Sequence, residues 1–166
     1  MKKILILNHL QIEQKINRIA HEIYEYNFEE DEIVIAGIAD RGYLLAKKIN
    51  EILIRISPLK TRLLEIKLDK TNLSVENFQM QLAQDELKGK VILLVDDVLN
   101  TGKTMVFALH AFLKYEVKKI ATIVLVDRNH NLFPVRADYV GLSMATTLQE
   151  HVSVEFSSGN DAAYLC

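Results

Sequence analysis

The chain has 166 residues, a length that suits one domain with a buried core and leaves little room for two. Apolar residues make up 49% of it and the net charge is −2, so we expect a globular protein with weak nonspecific attraction to nucleic acid or anionic lipid. The single cysteine, Cys166, excludes an intrachain disulfide or a cysteine-based metal site. No apolar run approaches the roughly 20 residues of a membrane span, and the first is shorter than the about 7–15 residues of a signal-peptide core. We therefore predict one cytoplasmic domain over residues 1–166 with no membrane partner.

Strand-like and helix-like hydrophobic patterns alternate along the chain. Short apolar or β-branched runs predict strands, and apolar residues spaced three or four apart predict helices. The predicted strands are 4–7, 32–38, 62–68, 90–95, 120–126, 137–143 and 152–156. The predicted helices are 10–26, 42–56 and 104–116. Residues 69–89 are polar and lack a clear period, so we expect a long loop or flap there.

This alternation predicts an α/β fold with a mainly parallel central sheet flanked by helices. In such folds ligands bind outside the carboxyl ends of the strands. Three predicted strand ends carry residues suited to chemistry: GIADRG at 37–42, DDVLNTGKT at 96–104 and DRNH at 127–130. Because these ends meet at one edge of a parallel sheet, we expect a single functional site there.

The stretch VILLVDDVLNTGKT (91–104) places two acids beside a loop suited to an anion. Gly102-Lys103-Thr104 fits the tail of a nucleotide-binding P-loop, but Asp97 stands where the first P-loop glycine belongs, so we reject a P-loop NTPase. Residues 100–104 join a strand to a helix, and the backbone N–H groups there can bind one phosphate group.

The side chains of this stretch divide into two chemical sets. Thr101 and Thr104 offer hydroxyl donors, Gly102 permits close backbone approach and Lys103 supplies charge. The acids Asp96 and Asp97 would repel a phosphate at contact and need a cation or hydroxyl donors, such as a ribose 2′,3′-diol. A plainer alternative is that one acid caps the helix, the other is solvated, and Thr-Gly-Lys is an ordinary turn.

VILLVDDVLNTGKT resembles the phosphoribosyl pyrophosphate (PRPP) binding motif of type I phosphoribosyltransferases: an apolar strand, two acids, then Thr-Gly-x-Thr. Other stretches resemble one branch of that family, the bifunctional pyrimidine-operon attenuators with uracil phosphoribosyltransferase activity. They are RIAHEI (18–23), GIADRGYLLAKKI (37–49) and VLVDRNHNLFPVRADYVG (124–141). The similarity runs from about residue 10 to residue 142, with poor agreement over 66–89. It implies the type I phosphoribosyltransferase fold, with a small hood that we expect from the chain ends and residues 143–156.

The resemblance implies Mg²⁺-dependent transfer of a phosphoribosyl group from PRPP to a nucleobase, with uracil as first choice, by a homodimer. The acid pair would hold the ribose hydroxyls, directly or through Mg²⁺, and the 100–104 loop would bind the 5′-phosphate. The acids are Asp96 and Asp97, and the loop comprises Asn100, Thr101, Gly102, Lys103 and Thr104.

Two further groups complete the site that the resemblance implies. The turn Ala39-Asp40-Arg41-Gly42 would bind pyrophosphate, with Arg41 as a fork of donors and a catalytic residue beside the two acids. Asp127 and Arg128 would read the base. Without the resemblance, Arg41 is equally a surface residue at a helix start, and Asp127 and Arg128 form a surface ion pair. The lone cysteine and the dispersed histidines offer no catalytic triad or metal spacing.

The chain departs from the family pattern at three places. The Tyr-Arg-Asp-Asp element of the usual flap is missing from residues 66–89, where Lys67 and Lys70 replace the arginine only in part because lysine lacks its planar fork. Ala39-Asp40 stands where the attenuators have Lys-Thr, and residues 143–153 differ from the uracil-binding members.

Two other functions stay open at this point. The attenuators of this branch bind messenger RNA through a basic face, of which Arg18 and His21 keep a part, although residues 141–153 contain no lysine or arginine. Loss of the flap arginine also allows a PRPP- or nucleotide-binding module without turnover.

Overall fold

The computed structural model describes residues 3–74, 78–80, 82 and 84–166. The described strands are β1 (Ile4–Leu7), β2 (Glu32–Ile38), β3 (Lys60–Ile66), β4 (Val91–Leu99), β5 (Lys119–Asp127), β6 (Tyr139–Ser143), β7 (Val152–Glu155) and β8 (Ala162–Leu165). The helices are α1 (His9–Asn27), α2 (Ala39–Ile56), α3 (Gln84–Leu87) and α4 (Lys103–Phe112). Within these ranges, no helix is both long enough and apolar enough to cross a bilayer.

The main sheet has five parallel strands in the order β3-β2-β4-β5-β6. Its central strand β4 is buried along its whole length, because α1 and α2 cover one face of the sheet and α4 covers the other. A strand buried on both faces needs a near-continuous apolar run, which residues 91–95 supply. The chain order and the strand order together confirm the predicted α/β fold.

The helices begin and end where local chemistry favours it. Asn8 caps α1 by accepting a hydrogen bond from the Gln11 backbone, and the Gln11 side chain accepts one from the Asn8 backbone. This reciprocal pair satisfies two N–H groups that a helix start otherwise leaves free. Helix α2 ends at Ile56, two residues before Pro58, since the residue before a proline disfavours helical backbone.

A small three-stranded antiparallel sheet of order β1-β8-β7 forms the hood. It brings the two ends of the described chain together, with Ile4 paired to Leu165. The hood predicted from the chain ends and residues 143–156 is therefore confirmed. The strand β8 was not predicted, because its four residues carry only weak strand preferences.

Several strands and helices begin or end at residues other than the predicted ones. The strand predicted at 90–95 continues to Leu99, so the acid pair lies inside β4 and not after it. The helix predicted to start at residue 42 starts at Ala39, so the expected pyrophosphate turn is the first turn of α2. The short helix α3 lies in the stretch predicted as a loop. Of that loop, residues 75–77, 81 and 83 lie outside the described residues.

Candidate functional site

The acid pair occupies the carboxyl half of the central strand. Asp96 and Asp97 are 4% and 5% exposed, and the Asp97 backbone N–H donates to Asp96 Oδ1 at 3.0 Å. Neighbouring side chains on a strand point to opposite faces, yet both carboxylates reach the same edge, beside the end of the ladder with β5. Two buried acids in one place are costly unless cations or donors face them.

Burial is the main influence on Asp96. It raises the pKa of that carboxyl to about 7, against the opposing attraction of the Lys70 ammonium, and the negative charge of Asp97 raises it further. Burial thus disfavours the charged form of Asp96, and a cation placed beside the pair favours it.

Two basic side chains already face the acids. Lys70 Nζ lies 3.0 Å from Asp96 Oδ1 and 3.3 Å from its Oδ2, and 3.9 Å from Asp97 Oδ1. Arg41, in the first turn of α2, places Nη1 3.9 Å from Asp97 Oδ2 while half its side chain stays exposed. The strand end, the start of α2 and the flap thus contribute to one cluster.

The predicted phosphate-binding loop, residues 100–104, turns sharply from β4 into α4. Gly102 has φ +86°, and a Cβ at this position would lie 2.5 Å from Val135 Cγ1. Only glycine combines that backbone with so close a neighbour. A neighbouring segment holds the loop in place, because the backbone N–H groups of Leu132 and Phe133 both donate to the Thr101 carbonyl.

This loop and Asp96 line a common cavity. Its volume is about 60 Å³, and its wall contains Lys70, Asp96, Val98, Leu99, Asn100, Thr101, Gly102, Lys103, Thr104 and Met105. The predicted phosphate-binding residues 100–104 are therefore brought together with Asp96. Because α4 starts at Lys103, backbone N–H groups of its first turn lie beside this cavity, which suits an anion. The Lys103 N–H donates to Thr101 Oγ1 at 3.3 Å.

The predicted pyrophosphate residues lie next to the acid pair. Ala39 has φ +49°, an uncommon value for a residue with a side chain, and such residues concentrate at functional sites. Gly42 packs so closely on β4 that a Cβ would lie 2.6 Å from the Val95 carbonyl oxygen. A separate cavity of about 450 Å³ opens on this side, lined by Ala39, Asp40, Glu65, Lys67, Leu68, Asp69 and Gln79.

The two predicted base-binding residues differ in accessibility. Asp127 ends β5, and its Oδ1 accepts a hydrogen bond from the Asn129 backbone at 2.8 Å. Arg128 is 4% exposed, and its guanidinium donates to Asn100 Oδ1, Thr146 Oγ1 and the carbonyls of Thr147 and Glu150. Direct base contact by Arg128 stays a prediction, and its engaged donors favour a positioning role. An isolated surface ion pair does not describe this arginine.

The predicted RNA-binding residues lie on α1, away from this cluster. Arg18 donates to the Val140 and Gly141 carbonyls of β6 and pairs with Glu22 at 2.8 Å. His21 contacts the Asn17 carbonyl through Nδ1. Both side chains are thus engaged within the chain, and their role toward RNA stays a prediction.

The chemistry of the donor set fits Mg²⁺. Two carboxylates with a cation already in contact supply hard oxygen ligands, the kind that this ion prefers. Among the described residues, no group of three or more acidic, histidine or cysteine side chains is placed to hold a metal. A bound Mg²⁺ would therefore need further oxygens from a ligand or water, which is usual for this ion.

Two contacts of the site were not predicted from the sequence. The sequence indicates Lys70 only as a partial replacement for a flap arginine, whereas the lysine lies directly on the acid pair. It also does not connect Arg128 with Asn100 of the loop. Both contacts join residues 26 or more positions apart, and no periodicity or spacing marks such pairs.

Comparison with known proteins defines the class. A model of the phosphoribosyl transferase domain family matches residues 5–157, which include the acid pair and the loop. The chain therefore belongs to the type I phosphoribosyltransferase family, and the predicted enzyme class, a pentosyltransferase, is confirmed.

Solved structures agree on the fold. The hypoxanthine phosphoribosyltransferase of Trypanosoma cruzi superimposes with a TM-score of 0.74 at 17% identity, over 89% of this chain and 83% of that one. A hypoxanthine-guanine phosphoribosyltransferase of Bacillus anthracis gives 0.69 at 18% identity, over 91% and 86%.

Curated relatives place the chain within one branch. The bifunctional protein PyrR of Clostridium kluyveri is 40% identical over 161 residues, which cover 93% of this chain and 91% of that relative. Proteins of the same name from Staphylococcus saprophyticus and Fusobacterium nucleatum are 35% and 36% identical, each over 93% of this chain and over 92% and 91% of their own lengths. The resemblance to the attenuator branch is thus confirmed.

Proposed function

We propose that the protein transfers the phosphoribosyl group of PRPP to a nucleobase, with uracil preferred, and releases pyrophosphate. The observation that carries this proposal is the buried acid pair of β4, whose Asp96 lines one cavity together with the loop 100–104. The adjacent first turn of α2 supplies Arg41. The bifunctional relatives and the resemblance to uracil phosphoribosyltransferases support uracil as the base.

Each part of the site has a role in this reaction. Asp96 and Asp97 accept the ribose 2′- and 3′-hydroxyls, and the N–H groups and hydroxyls of Asn100, Thr101, Gly102, Lys103 and Thr104 bind the 5′-phosphate. Holding both ends of the sugar fixes its anomeric carbon against the base nitrogen. The bond to pyrophosphate breaks as the new C–N bond forms, and positive charge builds on the ring.

The leaving group needs positive charge. We assign Arg41, in the helix turn Ala39-Asp40-Arg41-Gly42, to pyrophosphate, whose oxygens its guanidinium suits as a donor. When bound through Asp96 and Asp97, Mg²⁺ supplies further charge to neutralise pyrophosphate. Asp127 at the end of β5 contacts the base, and Arg128 holds the surrounding loops in place.

A double substitution tests the site. Asp96→Asn with Asp97→Asn should lower kcat/KM by about a thousandfold or more, because neutral amides hold the diol and the cation poorly. The fold should persist, as judged by circular dichroism. The exposed Asp31→Asn is the matched control and should keep full activity. An active double variant would refute the proposed site.

The substrate is tested by a panel of bases. Purified protein with Mg²⁺, PRPP and each base in turn should yield a nucleotide and pyrophosphate with uracil. Product with a different base alone would change the assigned substrate. If no base yields product while PRPP still binds, the chain is a PRPP-binding module without turnover.

Messenger RNA binding is the second candidate function. The relatives are named bifunctional, and the exposed face of helix α1 carries Arg18 and His21 at positions that resemble the RNA face of the attenuators. A pyrimidine-leader RNA should then bind with an affinity that falls as salt rises. Absence of binding at low salt would end this proposal. A homodimer, proposed from the same resemblance, is tested by light scattering.

A further inference from the structure

The flap presents Lys70 on an ordered turn. Asp69 Oδ1 accepts hydrogen bonds from the Thr71 backbone at 2.8 Å and from the Thr71 hydroxyl at 2.6 Å, and the Asn72 N–H donates to the Asp69 carbonyl. Lys70 lies between these partners. Two backbone hydrogen bonds of 3.0 Å between Lys67 and Gln79 anchor the turn to the rest of the protein.

The turn aims the Lys70 ammonium at the acid pair. It contacts both oxygens of Asp96, within 3.3 Å, and lies 3.9 Å from Asp97. The carboxylates are almost fully buried, whereas the lysine side chain is 42% exposed. The ammonium therefore covers the solvent side of two acids that the main sheet has already enclosed.

Lys70 also reaches the space beside the 100–104 loop. Its side chain lines the same cavity as Asp96 and residues 100–104. A ribose diol that contacts Asp96 would meet the ammonium that already lies 3.0 Å and 3.3 Å from the two carboxylate oxygens.

The Lys70 ammonium and a ligand would compete for the same carboxylates. One ammonium partly neutralises the pair, and the same carboxylate oxygens are those that a ribose diol or its Mg²⁺ would contact. A lysine that stayed in place would add a like charge beside the metal. The acids therefore hold either Lys70 or the ligand.

We propose that Lys70 is a tethered counter-ion that occupies the Asp96–Asp97 pair in the free protein and must leave before the ribose diol binds. The inference rests on the proposed function and adds to it a residue that opposes substrate binding. The lysine keeps the buried acids satisfied when no substrate is present. Its release also frees the turn at 69–72 from the acid pair, so that substrate binding is linked to the flap.

Competition by Lys70 should lower the apparent affinity of the site for its ligand. If Lys70 occupies the acids about nine-tenths of the time, only a tenth of the molecules can bind, and the apparent affinity falls about tenfold. Lys70→Met should therefore bind ribose 5-phosphate with Mg²⁺ about tenfold more tightly than the unmodified chain. Ribose 5-phosphate is the chosen probe because it lacks pyrophosphate, which a released lysine would otherwise contact.

Calorimetric titration at high ionic strength measures this effect while screening long-range charge. Lys114→Met is the matched control, since it removes the same charge from an exposed lysine that lines neither cavity of the site. It should bind within twofold of the unmodified chain. Equal or weaker binding by Lys70→Met would overturn the inference.

A second readout follows the lysine itself. In amine acetylation monitored by mass spectrometry, Lys70 of the free protein should react more slowly than Lys67. Ribose 5-phosphate with Mg²⁺ should accelerate the acetylation of Lys70 several-fold and leave Lys67 unchanged. Asp96→Asn should accelerate it without ligand. Slower acetylation of Lys70 with ligand would overturn the inference.

Failure of the proposed function gives a different pattern. It would appear as no PRPP turnover and no binding of ribose 5-phosphate by any of the three proteins, and it would overturn both proposals. Normal turnover with unchanged affinity of Lys70→Met would overturn the counter-ion alone.

Discussion

At the scale of single residues, the site depends on backbone positions as much as on charged groups. Gly102 turns the chain from β4 into α4 and lies against Val135, and Ala39 adopts a left-handed backbone at the start of α2. Gly102 directly precedes the first turn of α4 beside the cavity, and Ala39 lies two residues before Arg41, whose Nη1 is 3.9 Å from Asp97 Oδ2. Substitutions that alter the backbone at these two positions should therefore disturb the site.

Gly102 allows a direct test of this point. Gly102→Ala should lower the free energy of unfolding by about 3 kcal/mol, because left-handed backbone and a clash with Val135 add together, and it should weaken PRPP binding at least tenfold. Urea unfolding and calorimetry measure the two effects.

Gly159→Ala is the control for backbone strain alone. Gly159 has φ +76°, but nothing lies within 4 Å of the added Cβ. It should cost about 1 kcal/mol and leave PRPP binding intact. Equal costs for the two substitutions would show that the contact with Val135 is unimportant.

Much of this residue-level site was predictable from the sequence. Two acids after an apolar run, followed by Thr-Gly-Lys-Thr, indicate a diol and phosphate site through chemistry that local spacing displays. The contacts of Lys70 and Arg128 were not predictable, because each depends on a loop folding back over a distant strand. The end of β4 was also missed, since pairing of Val98 and Leu99 with β5 extends the strand past its acidic side chains.

At the scale of elements, Arg128 links two segments that surround the site. Its guanidinium donates to Asn100 of the predicted phosphate-binding loop. It also donates to the Thr146 hydroxyl and the Thr147 carbonyl, in the segment that leads into β7. Almost all of its donors are engaged, and the side chain is buried. The arrangement makes the shape of the loop depend on the segment between β6 and β7.

This link predicts a specific defect. Arg128→Lys should lower the free energy of unfolding by about 2 kcal/mol, because lysine cannot replace the planar fork, and it should raise KM for PRPP more than it lowers kcat. Asn100→Ala should raise KM in the same way at a smaller cost in stability. Steady-state kinetics and urea unfolding provide the measurements.

The exposed Arg136→Lys serves as the matched control and should change neither quantity. A fall in kcat with unchanged KM in Arg128→Lys would contradict positioning and would favour direct contact with the base.

At the scale of the whole molecule, the hood is fastened to the helices by one buried acid. Asp161 is 1% exposed, its Oδ2 lies 2.8 Å from Lys48 Nζ of α2, and its Oδ1 accepts the Ser157 N–H. The Asp161 backbone also donates to His9 Nδ1 at the start of α1. The residue that directly precedes β8 is therefore joined to both helices on one face of the main sheet.

Loss of this acid should loosen the hood. Asp161→Asn should lower the free energy of unfolding by about 3 kcal/mol, since it leaves the Lys48 ammonium without its buried partner. Thermal and urea unfolding measure the loss. Glu155→Gln, which removes an exposed ion pair with Lys3 within the same hood, should have no measurable effect. Equal effects of the two changes would contradict a fastening role for Asp161.

The hood also sets an order of events during synthesis. Strand β1 precedes the main sheet in the chain and its ladder partner β8 follows it, so Ile4 can meet Leu165 only after the strands between them have been made. The main sheet and its helices lie between these strands and can form earlier, because domains fold as their sequence emerges. Until β8 emerges, β1 lacks its ladder partner, and its unpaired backbone groups can pair with other nascent chains. Pairing with β8 covers one edge of β1, so loss of β8 should make β1 prone to aggregation.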